Sequence, residues 1–382
     1  MELDPSSLSG DREHIISVFI DHISRTEDEE EAEKEQGRRK TDIKVFLAKN
    51  EGFELGSLSH SIEELSETKG LTRYIQRYIS EHNFREEVLA DDISLVEIDT
   101  PKRARTDQFV FFDDEEYLRI ITAERRKWTK KTVEKLIDYL PSLERVFLTP
   151  GDLEEIVEDL YGTSVTGFTA KYHSYKEAKR ASIRFHGGTR EDLKDVERVF
   201  NAKPTRLEFG QRNSPSNAIH SSVAQEGHYT FSSVRPGSEE RGSQTLNELS
   251  DAFEKRDEQN YSVENKPIRS FFSGGMAIEG FTTLRLSDEE RENLSYETAN
   301  RLEEDILDSK QQYEFSEWES GNYMVFDKDH GEQFEITIES SNILIHAKES
   351  TTSSSLRNFC SLVFEEFDTT YSLEKVSREL KA

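Results

Sequence analysis

A short run of cations surrounds a tryptophan before the middle of the chain. The five basic residues of this run lie within three positions of Trp128 and are Arg125, Arg126, Lys127, Lys130 and Lys131. Lysine and arginine side chains bind phosphate groups, and an indole ring stacks on nucleobases. The run therefore predicts a contact with nucleic acid or another anionic partner. The alternative is that these cations pair with nearby carboxylates and that Trp128 anchors the start of a helix.

A second basic group follows on two predicted strands. Lys171 lies on the first of them, and Arg184 and His186 lie on the next. Small α+β domains offer a sheet face of this kind to RNA. We therefore add these three residues to the predicted nucleic-acid contact, although the second strand lacks the aromatic pattern of an RNA-recognition motif.

The distribution of charge along the chain also indicates residues 102–212 as the region that contacts a partner. Residues 102–135 carry ten basic and seven acidic residues, 136–167 carry one and seven, and 168–212 carry eleven and six. Their balances of +3, −6 and +5 sum to +2, whereas the whole chain has 50 basic and 78 acidic residues, a net charge of −28. A region that keeps its cations in an acidic protein is where an anionic partner is expected.

The N-terminal region suggests a different chemistry. Segments 14–23 and 41–49 are apolar with some alternation and predict an antiparallel strand pair, with a helix as the alternative for the first. In such a hairpin Asp21 and Asp42 lie at the same end, and Asp42 and Lys44 share one face. Two carboxylates and a lysine in this arrangement are typical of divalent-metal nucleases, in which the lysine orients the attacking water. The alternative hypothesis is therefore a metal-dependent nuclease with Asp21, Asp42 and Lys44 as catalytic residues.

Signatures of other enzyme classes are absent. The sequence contains no P-loop, no dinucleotide-binding glycine pattern after a strand, no His-Glu-x-x-His and no Gly-x-Ser-x-Gly. We therefore expect no cofactor. The first hypothesis is a non-catalytic binding or regulatory protein that contacts its partner through residues 102–212. A third hypothesis, a protein-interaction subunit of a larger assembly, also stays open.

The elements that position the second basic group are predicted by caps and periodicity. A strand at 145–148 precedes a helix that Thr149 caps and Gly162 ends, and two strands follow at 165–172 and 180–186. A second helix capped by Thr189 and a strand at 205–209 complete the order β-α-β-β-α-β. This order is the split βαβ pattern of a ferredoxin-like unit.

The whole chain reads as an α+β protein of three regions. A Thr-Pro step at Pro101 and a segment rich in Ser, Gly, Asn and Pro from 212 to 243 mark the boundaries. We predict an N-terminal α/β region at 1–100, a central ferredoxin-like region with a preceding basic helix at 101–212, and a C-terminal α+β domain at 213–382. In the last of these, an antiparallel sheet is expected to pack against helices.

The amino-acid composition indicates in which cellular compartment the protein is located and which kinds of partner it binds. Because the carboxylates are spread along the chain rather than gathered in one tail, they favour adaptation to a salt-rich cytoplasm over an acidic protein of an ordinary cell. Cys360 is the one cysteine, so neither an intramolecular disulfide nor a cysteine-based zinc site is expected. The first ten residues lack the basic and apolar regions of a signal peptide, and no apolar run has the length of a membrane span. We expect a cytoplasmic protein whose partner is nucleic acid or protein and not a membrane.

Overall fold

The computed structural model of the chain contains two large sheets, each with helices packed on it. It describes residues 8, 10–24, 42–68, 71, 73–160, 163–174, 179–212, 217–263, 268–272, 275–279, 282–287, 313–319, 321–328, 330–338, 342–348, 351–364 and 372–376. Helices and antiparallel strands together confirm the predicted α+β class. None of the described helices is both long and apolar enough to cross a membrane.

The first sheet has eleven strands. Along it the order is β2-β3-β4-β5-β1-β11-β10-β9-β7-β8, and β6 pairs with β1 beside this path. The strands are β1 (Ile43–Asn50), β2 (Asn83–Ala90), β3 (Ile93–Thr100), β4 (Arg105–Asp114), β5 (Tyr117–Thr122), β6 (Leu143–Arg145), β7 (Thr163–Ser174), β8 (Lys179–His186), β9 (Lys203–Arg212), β10 (Asn217–Ala224) and β11 (His228–Val234).

The second sheet has six strands in the order β15-β16-β17-β18-β14-β19, and β12 and β13 form a separate hairpin. These strands are β12 (Ile268–Phe272), β13 (Gly275–Glu279), β14 (Thr283–Ser287), β15 (Tyr313–Glu319), β16 (Asn322–Asp327), β17 (Glu332–Ile338), β18 (Asn342–Ala347) and β19 (Ser372–Val376).

The described helices are α1 (Arg12–Ile23), α2 (Leu58–Glu67), α3 (Arg73–Glu81), α4 (Arg126–Thr129), α5 (Val133–Tyr139), α6 (Pro150–Asp159), α7 (Arg190–Phe200), α8 (Glu239–Tyr261) and α9 (Ser353–Leu362). A short 3₁₀ turn, Pro101–Arg103, precedes β4. Helices α6 and α7 each begin with a capping box, from Thr149 and Thr189, as the sequence predicts.

Strand β1 lies near the centre of the first sheet and sends alternate side chains to opposite faces. Ile43 and Val45 are buried in a core with apolar residues of α1, α6, α7 and α8. Phe46 and Ala48 are buried on the other face, in a second core with α2, α3 and α5. Helices therefore cover both faces of the sheet near β1, and Lys44 shares the face of Phe46.

The second sheet has its own core against α9. Leu356, Phe359 and Cys360 of this helix are fully buried against strands β14 to β18. Helix α8 links the two parts, since its Leu246 packs in the first core and its last residue, Tyr261, packs in this one. Burial raises the pKa of the Cys360 thiol, which disfavours the reactive thiolate, so this cysteine serves as a core residue.

The predicted N-terminal hairpin is wrong. Residues 12–23 form helix α1, because Asp11 caps its start and five apolar residues recur at helical spacing on its buried side: Ile15, Ile16, Phe19, Ile20 and Ile23. The strands that pair with β1 are β5, β6 and β11. Asp21 is exposed on α1, on the side of the sheet opposite Lys44.

The predicted ferredoxin-like unit is not confirmed, although its two helices and its last three strands form. A split βαβ unit has its first strand within its own sheet. Strand β6 instead ends at Arg145 and pairs with β1, and β9 pairs directly with β7. The next residues, Val146 and Leu148, are buried in the first core rather than extending that strand. The three-region division stays a prediction, with both of its boundaries inside one continuous sheet.

A buried ionic network connects the second sheet to the first. Arg357 of α9 is 1% exposed and donates two hydrogen bonds of 2.8 Å to Asp257 of α8 and one of 2.6 Å to Glu144 of β6. His330 Nε2 lies 3.5 Å from Glu144, and its Nδ1 lies 2.8 Å from Asp327. Charges with hydrogen-bonded partners of this kind tolerate burial. The network therefore fixes α9 against α8 and β6.

The histidine of this network gives stability a pH dependence. Hydrogen bonds to Asp327 and Glu144 raise the pKa of His330 from 6.5 to about 10. Because the folded pKa is the higher one, the stabilisation is complete below about pH 6.5 and disappears as the pH rises toward about 10. We expect the difference in unfolding free energy between wild type and His330→Gln, measured in urea, to shrink over this range.

The matched control for this pH series is His60→Gln, since the His60 side chain is 70% exposed. Its unfolding free energy should follow that of the wild type at every pH. A constant difference between wild type and His330→Gln from pH 6.5 upward would show that the histidine stabilises the fold without its charge.

Candidate nucleic-acid interface

Trp128 is held at the surface by the short helix α4. Its N–H donates to the Arg125 carbonyl at 2.8 Å, and its carbonyl accepts from the Lys131 N–H at 2.8 Å. The neighbouring Thr129 is fully buried, and its hydroxyl donates to Glu134 at 3.0 Å. Because Thr129 is anchored below the surface, the backbone that carries Trp128 and the adjacent cations has a defined position.

Four cationic side chains lie around the half-buried ring of Trp128. The distances to the ring centroid are 4.4 Å from Lys127 Nζ, 4.8 Å from the Arg105 guanidinium, 5.3 Å from that of Arg103 and 6.0 Å from Lys131 Nζ. These distances are those of cation–π contacts. An aromatic ring and several positive charges therefore meet at one place on the surface.

Arg105 is fixed in this arrangement by two carboxylates. Its guanidinium pairs with Asp107 and Glu124, and its side chain is 30% exposed. Burial raises the pKa of both carboxyl groups, and the positive charge of Arg105 partly offsets this effect. Arg105 thus orients Trp128 from β4, and its own charge is largely compensated.

Arg126 is similarly occupied. It pairs with Glu134 and, at 2.6 Å, with Glu226, and it lies 5.9 Å from the ring centroid of Phe46. Of the predicted run, Arg126 is therefore the cation least available to an external anion. Its role in the structure is to hold α4 against the turn between β10 and β11.

The other cations have no such partners. Five exposed basic residues have no carboxylate oxygen within 4.0 Å in the part of the chain that the structure describes: Arg103, Arg125, Lys127, Lys130 and Lys131. We call these five residues and Trp128 the Trp128 cluster. Five positive charges without neutralising neighbours, in a chain of net charge −28, attract anions locally.

The second predicted group lies together on one face of the first sheet. Arg184 of β8 lies opposite Thr169 of β7; Lys171 is two residues along β7, and His186 is two residues along β8. All three basic side chains are exposed. The Arg184 side chain is 55% exposed but lies 3.5 Å from the Glu208 carboxylate. This group therefore carries less uncompensated charge than the Trp128 cluster.

The two basic groups share that face but are separated by a buried strip. Lys44 lies in this strip and is 5% exposed, and the positive charges of Arg126 and Arg206 both act to lower its pKa. Arg206 of β9 is in turn influenced by Arg184. Lys44 and its cross-strand neighbours Thr230 and Ser222 are buried, so this line of residues separates the two groups. We therefore centre the candidate site on the Trp128 cluster.

Sequence reasoning missed the contribution of Arg103 and Arg105. Both fall in the basic region 102–135 and in the predicted contact region 102–212, but neither was named among the site residues. Ala104 adopts a left-handed conformation with φ 47°, so the chain turns there into β4 and carries both arginines to Trp128. Their basic character was the available signal, but the contact across more than twenty residues depends on the sheet.

The residues of the nuclease hypothesis do not form a metal site. Lys44 Nζ donates to the backbone carbonyl of Asp42 at 3.0 Å, and burial lowers the pKa of Lys44 to about 8. Asp21 lies across the sheet from both. Among the described residues, no group of three or more His, Cys, Asp or Glu side chains is placed to hold a metal ion.

Comparison with known proteins gives no family for this chain. Neither a scan against models of protein families nor a search of curated proteins finds a match. The functional conclusion therefore depends on the geometry and charge of the Trp128 cluster.

Proposed function

We propose that this chain is a binding or regulatory protein that contacts nucleic acid through the Trp128 cluster. The observation that carries the proposal is a set of five exposed cations, without carboxylate partners among the described residues, beside a half-buried indole ring. Phosphate groups would pair with the cations, and a base would stack on or beside the ring. A cytoplasmic location, as expected from the sequence, fits this proposal.

The arrangement favours single strands over a duplex. Helix α4 has only four residues, too few to fill a major groove as a recognition helix does. A stacking ring needs a base whose face is accessible, which an unpaired strand offers and a duplex conceals. Arg105 holds the ring from β4, whereas Lys127 has no anchoring carboxylate in the described part of the chain and would move to admit a base.

The proposal is tested by titrating labelled single- and double-stranded DNA and RNA with the protein and following fluorescence anisotropy. We expect binding that weakens with salt, because each phosphate contact releases counterions. If all five cations contact phosphates of a single strand, the slope of log K against log salt should be about −3.5, and fewer contacts should give a shallower slope. The series begins at the lowest salt at which the circular dichroism spectrum of the fold is retained.

Each titration is repeated with Mg²⁺ and with EDTA, and the products are separated on a denaturing gel. Binding that is equal in both buffers, with intact nucleic acid, supports the proposal. Fragments that appear only with Mg²⁺ would support the nuclease hypothesis instead. Absence of binding to every probe at low salt would reject a nucleic-acid function and leave a protein partner as the alternative.

A further inference from the structure

Within the described residues, each large sheet ends in a strand that pairs on one side only. Among the described strands, β8 pairs only with β7, and β15 pairs only with β16. The free N–H and C=O groups along such an edge can pair with a strand of another chain. Both strands also expose an aromatic side chain, Phe185 (36% exposed) on β8 and Trp318 (60% exposed) on β15.

The two edges carry opposite charge. Strand β8 has three cationic residues and no carboxylate, +3: Lys179, Arg180 and Arg184. Strand β15 has three carboxylates and no cation, −3: Glu314, Glu317 and Glu319. The other edge strands of these sheets are nearly neutral, since β2 has one arginine and two glutamates and β19 has one glutamate and one lysine. The pair β8 and β15 therefore has the strongest charge complementarity.

We propose that β8 of one copy of this chain pairs with β15 of a second copy. Pairing β8 with β8, or β15 with β15, would place like charges across the new ladder and be unfavourable. Pairing β8 with β15 instead places cations opposite carboxylates and brings Phe185 and Trp318 into one interface. Cross-strand pairs of both kinds stabilise a sheet by about 0.2–1 kcal/mol each.

The resulting assembly joins unlike surfaces. Each copy retains a free β15 edge at one end and a free β8 edge at the other, so association continues into an open chain or closes into a ring. A bulge between Glu317 and Glu319 leaves the regular part of β15 short. The interface is therefore small, and association should be weak and dependent on concentration. This inference does not depend on the proposed nucleic-acid function.

The test measures mass by sedimentation velocity over a range of concentrations, with the full chain freed of nucleic acid by nuclease treatment. We expect the wild type to sediment as a monomer of 44.2 kDa in dilute solution and as species of larger mass in concentrated solution. Added salt should shift the transition to higher concentration, because salt screens the attraction between the cationic and the acidic strand.

Two variants each remove one side of the interface. Ala181→Glu with Ser182→Glu reduces the charge of β8 from +3 to +1, and Ser316→Lys with Glu317→Lys changes β15 from −3 to 0. All four positions are exposed. Each variant alone should stay monomeric. An equimolar mixture should form dimers and nothing larger, because it contains one intact β8 and one intact β15 edge that can meet.

The matched control for the β8 variant is Ser66→Glu with Gln76→Glu, which makes the same change of −2 in net charge on exposed positions of α2 and α3. It should associate as the wild type does. Circular dichroism and urea midpoints establish that all variants are folded. A wild type that is monomeric at every concentration, edge variants that associate normally, or a mixture that stays monomeric would each overturn the proposal.

Discussion

Replacing Arg357 with alanine is expected to lower the free energy of unfolding by about 3–5 kcal/mol. The guanidinium is 1% exposed and satisfies Asp257 through two hydrogen bonds and Glu144 through a third. Its removal leaves Asp257 buried without its counter-charge and leaves Glu144 with His330 alone, at 3.5 Å, which costs far more than the loss of a surface pair. Urea denaturation followed by circular dichroism measures the change.

The control is Arg198→Ala, because Arg198 pairs with Asp195 at 2.7 Å but both side chains are more than 60% exposed. This substitution should change stability by less than about 0.5 kcal/mol. A loss of less than about 1 kcal/mol for Arg357→Ala would show that Asp257 and Glu144 find water or protons in place of the guanidinium.

A compensated variant separates the effect of charge from that of packing. Arg357→Met combined with Asp257→Asn and Glu144→Gln removes the cation and both carboxylates together. It should recover part of the stability lost in Arg357→Ala, because no uncompensated charge remains buried. If it recovers nothing, the geometry of the hydrogen bonds, rather than the balance of charge, is what stabilises the contact between α9 and α8.

The same network shows which features of a fold escape sequence reasoning. Arg357 meets Asp257 across 100 residues and Glu144 across 213 residues, and no local pattern connects these positions. Helices α6 and α7 were predictable because each cap and each apolar stripe lies within about twelve residues. The pairing of strands cannot be predicted in this way. Strand β6 could pair with the strands that follow it in sequence or with β1, and only the complete sheet decides between them.

The prediction of a strand in place of helix α1 was wrong for a related reason. Over a short segment, apolar residues such as Ile15, Ile16, Phe19 and Ile20 satisfy an alternating pattern almost as well as a helical one. The local signal that distinguishes a helix from a strand here was Asp11. Its side chain accepts a hydrogen bond from the His14 backbone N–H, which is the contact of a helix N-cap. The core of the candidate site was predictable for the opposite reason, because Arg125 to Lys131 are contiguous in sequence.

The Trp128 cluster is expected to account for most of the affinity for single-stranded nucleic acid. Replacing Lys127, Lys130 and Lys131 together with glutamine should reduce the slope of log K against log salt by about 2, since each phosphate contact contributes about 0.7. Trp128→Ala should lower affinity about 5- to 150-fold, which corresponds to the 1–3 kcal/mol of one stacked base, with little change in slope. Fluorescence anisotropy at several salt concentrations separates the two effects.

A matched variant replaces Lys194, Arg198 and Lys255 with glutamine, which removes the same charge from exposed positions on α7 and α8. Its affinity and salt slope should stay within about twofold of the wild type, because non-specific attraction depends on net charge whereas a site depends on position. Equal losses in both triple variants would mean that binding follows net charge and that the Trp128 cluster is no site. A smaller slope for the lysine variant alone, together with an unchanged slope for Trp128→Ala, would assign the phosphate contacts to the lysines and the stacking to the ring.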